Sequence, residues 1–389
     1  MAILLAKTPD GGISSFYAPM RKTVPHKVEA EDSSLITTEL NGITIQRLKT
    51  KLGTRALPTA ELSLTDTRAY LLGQEGQGIK EMSTILNITR VHNAVTACGL
   101  LGRGLAIGRA FARVRCVRGK KLMDIPAYVK TMAAVHVEYR ASMLLTFFVV
   151  TLLGVSEKPI DPQCSRGHEN NPLNGLLPSD SRTVALFLRI LMPVMKALTA
   201  KNAIAGLAEC MESLGGVGYL DSSSSLDIGN NVARLYRDPN VLSIWEGTTD
   251  VMADDAIRVL KGKGGTEILS SLDGWLSKFI KRSFGLNGPC CDSIERIWTE
   301  WAHGVRSKGN EELSANGSEA IEGLGWAVSA VLLMEDARRD GNKVAAEVAA
   351  RWIGRKDNNR EMILGDWEKE AGWDRQIVFG ENEQLLAKL

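Results

Sequence analysis

Between Leu214 and Asp250 the chain gathers the residue types that chemistry needs. A glycine-rich turn, Leu214-Gly215-Gly216-Val217-Gly218-Tyr219, leads to an Arg237-Asp238 pair and then to Ile244-Trp245-Glu246-Gly247-Thr248-Thr249. Glycine has no Cβ, so a backbone rich in it can lie close against a bulky ligand. Glu246 is the one carboxylate in an apolar-to-neutral run, and desolvation is what makes a carboxyl useful as a general base. The same residues also read as a surface helix N-terminus behind a glycine-capped turn, so their chemistry depends on what positions them.

The positioning elements change character along the chain. Up to about residue 75 the pattern is β: Gly12–Pro19 and Gly42–Leu48 are β-branched-rich runs bounded by Gly or Pro, and Ala60–Leu64 alternates as a half-buried strand does. The polar insert Arg21–Asn41 reads as a surface loop. From Gly76 the pattern is helical, over Ile79–Arg113, Ile125–Val155, Ser179–Leu214 and Gly247–Leu260. Their apolar residues cover more than one face, as inside a helical bundle. The Pro-, Asn- and Ser-rich stretch Glu157–Pro178 is a loop by composition. Lys261–Gly265 marks a boundary, beyond which further helices are expected at Thr266–Phe284, Cys290–Val305, Glu311–Arg339, Lys343–Gly354 and Arg360–Ala371. Three regions result: residues 1–75, 76–262 and 263–389.

A net charge of +2 with 24% charged residues carries no footprint of a nucleic-acid binder. Residues 263–389 interleave Lys and Arg with Glu and Asp and show no basic stripe. The six cysteines form no CxxC pair, which points to reduced thiols in an intracellular compartment. Cys164 and His168 are close enough to share a metal, but no second pair completes a site, so no metal is expected. No signal peptide is evident, and the most apolar run, Met143–Val155, falls short of the roughly 20 residues of a bilayer span. It reads as a buried helix. The terminal Ala387-Lys388-Leu389 fits a peroxisomal address, with cytoplasm as the alternative. The Gly215-Gly216-x-Gly218 turn lacks the strand-turn-helix setting of a nicotinamide-binding fingerprint.

Taken together and in order, these motifs resemble the acyl-CoA dehydrogenase family over residues 14 to 262. Lys51-Leu52-Gly53-Thr54-Arg55 and Leu71–Gly78 look like the family's passage from its β-domain into its helices. The resemblance implies a mainly α fold with a partial β-domain: a C-terminal four-helix bundle, a remnant of the middle β-barrel and an extra C-terminal helical region. It places the family's N-terminal helical domain and first barrel strands ahead of Met1. It further implies FAD as cofactor and an acyl-CoA substrate, with Glu246 taking the α-proton while the flavin takes the β-hydride. The acceptor would be an electron-transfer flavoprotein or oxygen, and the assembly a homodimer or homotetramer.

Other roles carry over position by position. Thr89-Arg90 stands at a family pair whose first member is the base in isovaleryl-type enzymes. Threonine cannot serve as one, so the assignment returns to Glu246, with Arg90 and Gly247 on the substrate side. Arg115 and Gly119 match an Arg-x-x-Phe-Gly motif whose arginine meets the flavin diphosphate across a subunit interface, although Arg118 replaces the phenylalanine. A basic solvated helix end is the other reading there. Gly215 and Gly216 would touch the ADP part of FAD, preceded by Glu212 where glutamine is common. Thr248 and Asp250 stand at flavin contacts, while Asp250 also suits a first helical turn. Glu212, Arg234–Arg237 and Ser243–Gly247 look most like the AidB-like, adaptive-response branch. That branch leaves open a catalytically inactive flavoprotein or nucleic-acid binder, and the terminal tripeptide leaves open an oxidase-type enzyme. Tailoring of acyl-derived fungal metabolites is a further setting that the resemblance implies.

Overall fold

A computed structural model describes residues 1–9, 12–23, 38–158, 175–221, 231–283, 288–356 and 366–380. The chain forms two compact units, Met1–Thr89 and Arg90–Leu389. In the first, β1 (Ala2–Lys7), β2 (Ile13–Ala18) and β7 (Tyr70–Leu72) make an antiparallel sheet in the order β1-β2-β7. Beside it are two separate antiparallel pairs, β3 (Arg21–Thr23) with β4 (Thr38–Leu40) and β5 (Ile43–Leu48) with β6 (Ala60–Leu64). The expected loop Arg21–Asn41 therefore begins and ends as paired strands, and its residues 24–37 lie outside the described ones. Asn41 makes this turnabout possible: its amide donates to the carbonyls of Pro19 and Arg68 at 2.8 and 2.7 Å and accepts from the Arg68 N–H. Buried Ser15 donates to the Leu72 carbonyl at 3.2 Å and to Glu81, tying β2 to β7 and to the first helix.

The second unit is helical. Its helices are α1 (Gly78–Val114, from Arg90 onward), α2 (Pro126–Glu157), α3 (Ser181–Ser213), α4 (Val232–Arg237) and α5 (Thr249–Lys261). After these come α6 (Gly265–Ser283), α7 (Gly288–Ser307), α8 (Asn310–Ala315), α9 (Gly317–Asp340), α10 (Lys343–Gly354) and α11 (Trp367–Phe379). A two-strand hairpin, β8 (Cys116–Val117) with β9 (Lys120–Lys121), follows α1. One hydrophobic core runs from Ala94 to Phe379, so the helices beyond residue 262 are packed on the bundle rather than strung after it.

Small residues set the close approaches in that core. A Cβ on Gly206 would lie 2.7 Å from Leu101 and 3.0 Å from Val135, and one on Gly104 would lie 2.5 Å from Leu207. Gly108 faces both Met132 and Ser213. These pairs make α1 run parallel to α3 and antiparallel to α2. Trp275 gathers Phe148, Phe187 and Phe279 around it and donates its indole N–H to the Leu176 carbonyl at 2.8 Å. Trp326 and Trp352 each donate to the other's carbonyl at 3.1 Å, pinning α9 to α10.

Three sequence-based boundaries shift. The helix expected over Glu311–Arg339 is broken at Asn316–Gly317, where a Cβ on Gly317 would sit 2.9 Å from Ala253. The helix expected from Gly247 starts at Thr249, for a reason given below. The one expected at Arg360–Ala371 is α11, which begins at Trp367 behind an Asp366 cap; residues 357–365 lie outside the described ones. The Met143–Val155 run belongs to a 32-residue helix, so α2, like α3, is long and apolar enough to cross a membrane by length and composition. Both nevertheless contribute side chains throughout the shared core. Cys164, His168 and the terminal Ala387-Lys388-Leu389 lie outside the described residues. Among the described residues no three His, Cys, Asp or Glu cluster as metal ligands would.

The glycine contacts carry a stability test. Gly206→Val should lower the melting temperature, at a cost of about 1–3 kcal/mol from overpacking. The same change at Gly154, an exposed α2 glycine with open space around it, should cost almost nothing. Thermal denaturation of the two variants checks this.

Candidate functional site

Glu246 sits on a segment whose backbone is held out of helical geometry. After α4 and a 3-10 turn over Asp238–Ser243, the N–H groups of Ile244 and Trp245 both donate to the Val241 carbonyl, at 2.9 and 2.8 Å. The next two residues are left-handed in succession, Glu246 at φ 61° and Gly247 at φ 108°. A side chain that is not glycine costs roughly 1–2 kcal/mol in that region, so other contacts must over-determine the conformation of Glu246. Gly247 can be nothing else: a Cβ there would stand 2.6 Å from Met252 and 3.1 Å from Val251. Thr248 then caps α5, its hydroxyl accepting from the Val251 N–H at 3.5 Å. This left-handed pair is why the helix begins at Thr249 and not at Gly247.

Two cations grip the strained pair by its carbonyl oxygens. Arg90 Nε donates to the Glu246 carbonyl at 3.4 Å, and Lys196 Nζ donates to the Gly247 carbonyl. Glu246 itself is half-buried, while Lys196 is fully buried. Arg90 is fixed in turn by Asp255 on α5, at 3.3 Å. The Asp255 carboxylate also takes Arg189 from α3 at 2.6 and 3.1 Å and Arg258 from its own helix at 2.5 Å. Arg189 and Lys196 are seven residues apart, two turns along one face of α3. Pro193 between them sits inside the helix, where it removes the backbone bond to Arg189.

Burial alone would raise the Asp255 carboxyl, but hydrogen bonds and charge from Arg189, the bond from Arg258 and the charge of Arg90 outweigh it and hold the group at about 2. Burial, aided by the Arg90 charge and opposed by Glu246, pushes Lys196 down to about 8. Sequence reading missed Asp255, Arg189 and Lys196. A signal was present for the last: a lone lysine in the apolar run Val184–Leu198, on a face shared with Arg189.

The other expected site residues stand at the far end of the bundle. Arg115 lies just past α1, and Gly119 closes the β8–β9 hairpin in a turn with Arg118, at φ 50° and 78°, the left-handed pair of a type I′ turn. Glu212 is exposed on the last turn of α3, and Gly215 and Gly216 follow it, Gly215 at φ 62°. Gly218 is a packing glycine, since a Cβ there would meet the Met211 carbonyl oxygen at 2.1 Å. Because α1 and α3 run parallel, this group lies about 17 residues up α3 from Lys196, on the order of 25 Å at 1.5 Å per residue. The structure thus brings together Arg90, Glu246, Gly247 and Thr248, with exposed Asp250 beside them in the first turn of α5. It leaves Arg115, Gly119, Glu212, Gly215 and Gly216 as a second group.

Part of this helical unit resembles a known domain. Residues 76–165 and 179–261 match the acyl-CoA dehydrogenase C-terminal domain. That stretch is similar to the C-terminal domain of the acyl-CoA dehydrogenase family. The chain is 38% identical over 224 residues to acyl-CoA dehydrogenase family member 11 of Caenorhabditis elegans, covering 58% of this chain and 32% of that protein. It is 28% identical over 269 residues to the putative acyl-CoA dehydrogenase AidB of Escherichia coli, covering 69% of this chain and 42% of the other. The solved structure of Caenorhabditis elegans ACDH-11 in complex with C11-CoA superposes with a TM-score of 0.76 at 28% identity, over 98% of this chain and 61% of that one. The chain thus spans well under half the length of these two curated relatives.

Asp255 gives the site its stability test. Asp255→Asn leaves three guanidinium groups without their counter-charge and should destabilise the helical unit by about 2–3 kcal/mol at neutral pH. With its folded pKa depressed to about 2, Asp255 contributes stability above the unfolded value near 3.8 and loses it as pH falls through 2. Acid titration of both proteins should therefore show the gap between them closing from pH 4 toward pH 2.

Proposed function

We propose that this chain carries the catalytic half of an FAD-dependent oxidoreductase that removes hydrogen from the α and β carbons of an acyl-CoA thioester, with Glu246 as the base. One observation carries this reading. A half-buried carboxylate is held on a strained, left-handed backbone by two cations that hydrogen-bond to main-chain carbonyls and not to the carboxyl itself. Strain kept at one acidic residue by surrounding contacts is characteristic of a group that must be aimed. The similarity of residues 76–165 and 179–261 to the acyl-CoA dehydrogenase C-terminal domain and the likeness to a protein solved with C11-CoA support the thioester as substrate.

The residues at the far end fit a flavin nucleotide. Gly215, Gly216 and Gly119 each have nothing within 4 Å of where a Cβ would stand, so a ligand can lie directly on that backbone. Arg115, exposed just past the end of α1, offers a guanidinium suited to diphosphate. When bound, FAD would supply the acceptor for the hydride, which leaves the β-carbon with its bonding electron pair. The chain's own step is the other half: the Glu246 carboxylate takes the α-proton, and the electrons of that C–H bond go to form the double bond. An electron-transfer flavoprotein or oxygen would then accept the electrons.

Glu246→Gln should keep the flavin absorbance and abolish acyl-CoA-dependent dye reduction, a fall of about a thousandfold or more. Unchanged turnover would overturn the assignment. Peroxide release, measured against dye reduction in the unaltered protein, distinguishes oxygen from a protein acceptor.

A further inference from the structure

Among the described residues, Lys196 is a fully buried cation that the proposed proton transfer does not use. Its side chain has no solvent exposure, it occupies the middle of the most apolar face of α3, and its one hydrogen bond goes to the Gly247 carbonyl. An ammonium is costly to bury, and this one is pushed down to about 8 by that burial and by Arg90. A methionine or leucine would fill the same space without the penalty. What the lysine adds over them is a donor and a charge placed under a left-handed peptide next to Glu246.

The two carbonyls it and Arg90 hold are consecutive. Fixing the Glu246 oxygen from α1 and the Gly247 oxygen from α3 sets the peptide planes on either side of Gly247, and these planes set where the Glu246 side chain leaves the backbone. Arg90 is locked by Asp255 and Asp255 by Arg189, so the two grips share one frame. The lysine charge and the Glu246 carboxylate also attract each other.

We infer that Lys196 is a positioning residue for Glu246: through the Gly247 carbonyl it holds the strained Glu246–Gly247 pair in the geometry that aims the base. The inference rests on the proposed role of Glu246 for its catalytic consequence, but the hold on the backbone can be read without it.

The test is hydrogen–deuterium exchange on the full-length protein, paired with steady-state kinetics. In Lys196→Met, amides of residues 244–252 should exchange about tenfold faster, because a charge-assisted hydrogen bond is lost, while exchange elsewhere in α3 and the melting temperature stay close to those of the parent. In the same variant kcat for acyl-CoA should fall by about 10- to 100-fold with KM within about threefold, as expected for a misplaced base. Lys196→Gln, which keeps a donor without the charge, should recover part of both effects; it also carries the test should the methionine variant fold poorly. Unchanged exchange over 244–252 would overturn the inference, as would a rise in KM at constant kcat. Faster exchange in a protein whose parent shows no acyl-CoA turnover would uphold the positioning role and overturn the functional reading alone.

Discussion

The site depends on one carboxylate. Asp255 is almost fully buried and faces Arg90, Arg189 and Arg258, so it joins α1, α3 and α5 at a single point. Its charge is what makes the burial of Arg90 tolerable, and Arg90 in turn bonds to the backbone of Glu246. Were the carboxylate neutral or absent, its two less exposed partners would face each other uncompensated across the bundle. The energetic logic is therefore hierarchical: the acid that could do chemistry is held by a cation, and that cation by a second, non-reacting acid.

The helices beneath that point are shaped to bring it about. Gly104, Gly108 and Gly206 let α1 and α3 approach closely enough for Arg90 and Lys196 to reach two adjacent peptide groups, one each. Thr248 ends the strained segment by capping α5, which fixes the phase of that helix and so the direction in which Asp255 points. Downstream, α9 closes over the same core, with Gly317 against Ala253 and Gly325 against Leu198. The bundle and the helices beyond residue 262 thus share stability as well as surface.

Much of this was legible in the sequence where periodicity and motif order speak. The long helices were expected within two or three residues of their observed ends, because their apolar patterning is dense. Glu246 stood out because it is the lone acid of its run. The start of α5 was misplaced because a left-handed glutamate has no sequence signature; Gly247 looked like a helix start and is instead the residue that forbids one. Asp255, Arg189 and Lys196 were invisible for a different reason. Each reads locally as an ordinary charge on a helix, and only the packing of three helices brings them to one place. The paired ends of the insert after Ala18 were missed because three-residue strands carry too few residues for alternation to show.

The separation of the two residue groups bears on how the site must be completed. Glu246 and its holders lie midway along α3; Arg115, Gly119 and the Gly215-Gly216 turn follow the C-terminal ends of α1 and α3, on the order of 25 Å away. Both groups have the features of ligand contacts, one a held acid, the other open glycine backbone beside a free-standing arginine. They cannot grasp the same part of one ligand within a single copy of the chain. Each must therefore serve a different part of a long molecule or a different molecule. The acid has its supporting cations within this chain, while the glycine turn, with Val217, Tyr219 and Leu220 exposed around it, presents apolar surface and open backbone among the described residues. Under the proposed function, the groups that hold the base belong to the bundle itself, and the electron acceptor would meet surfaces that face outward from it.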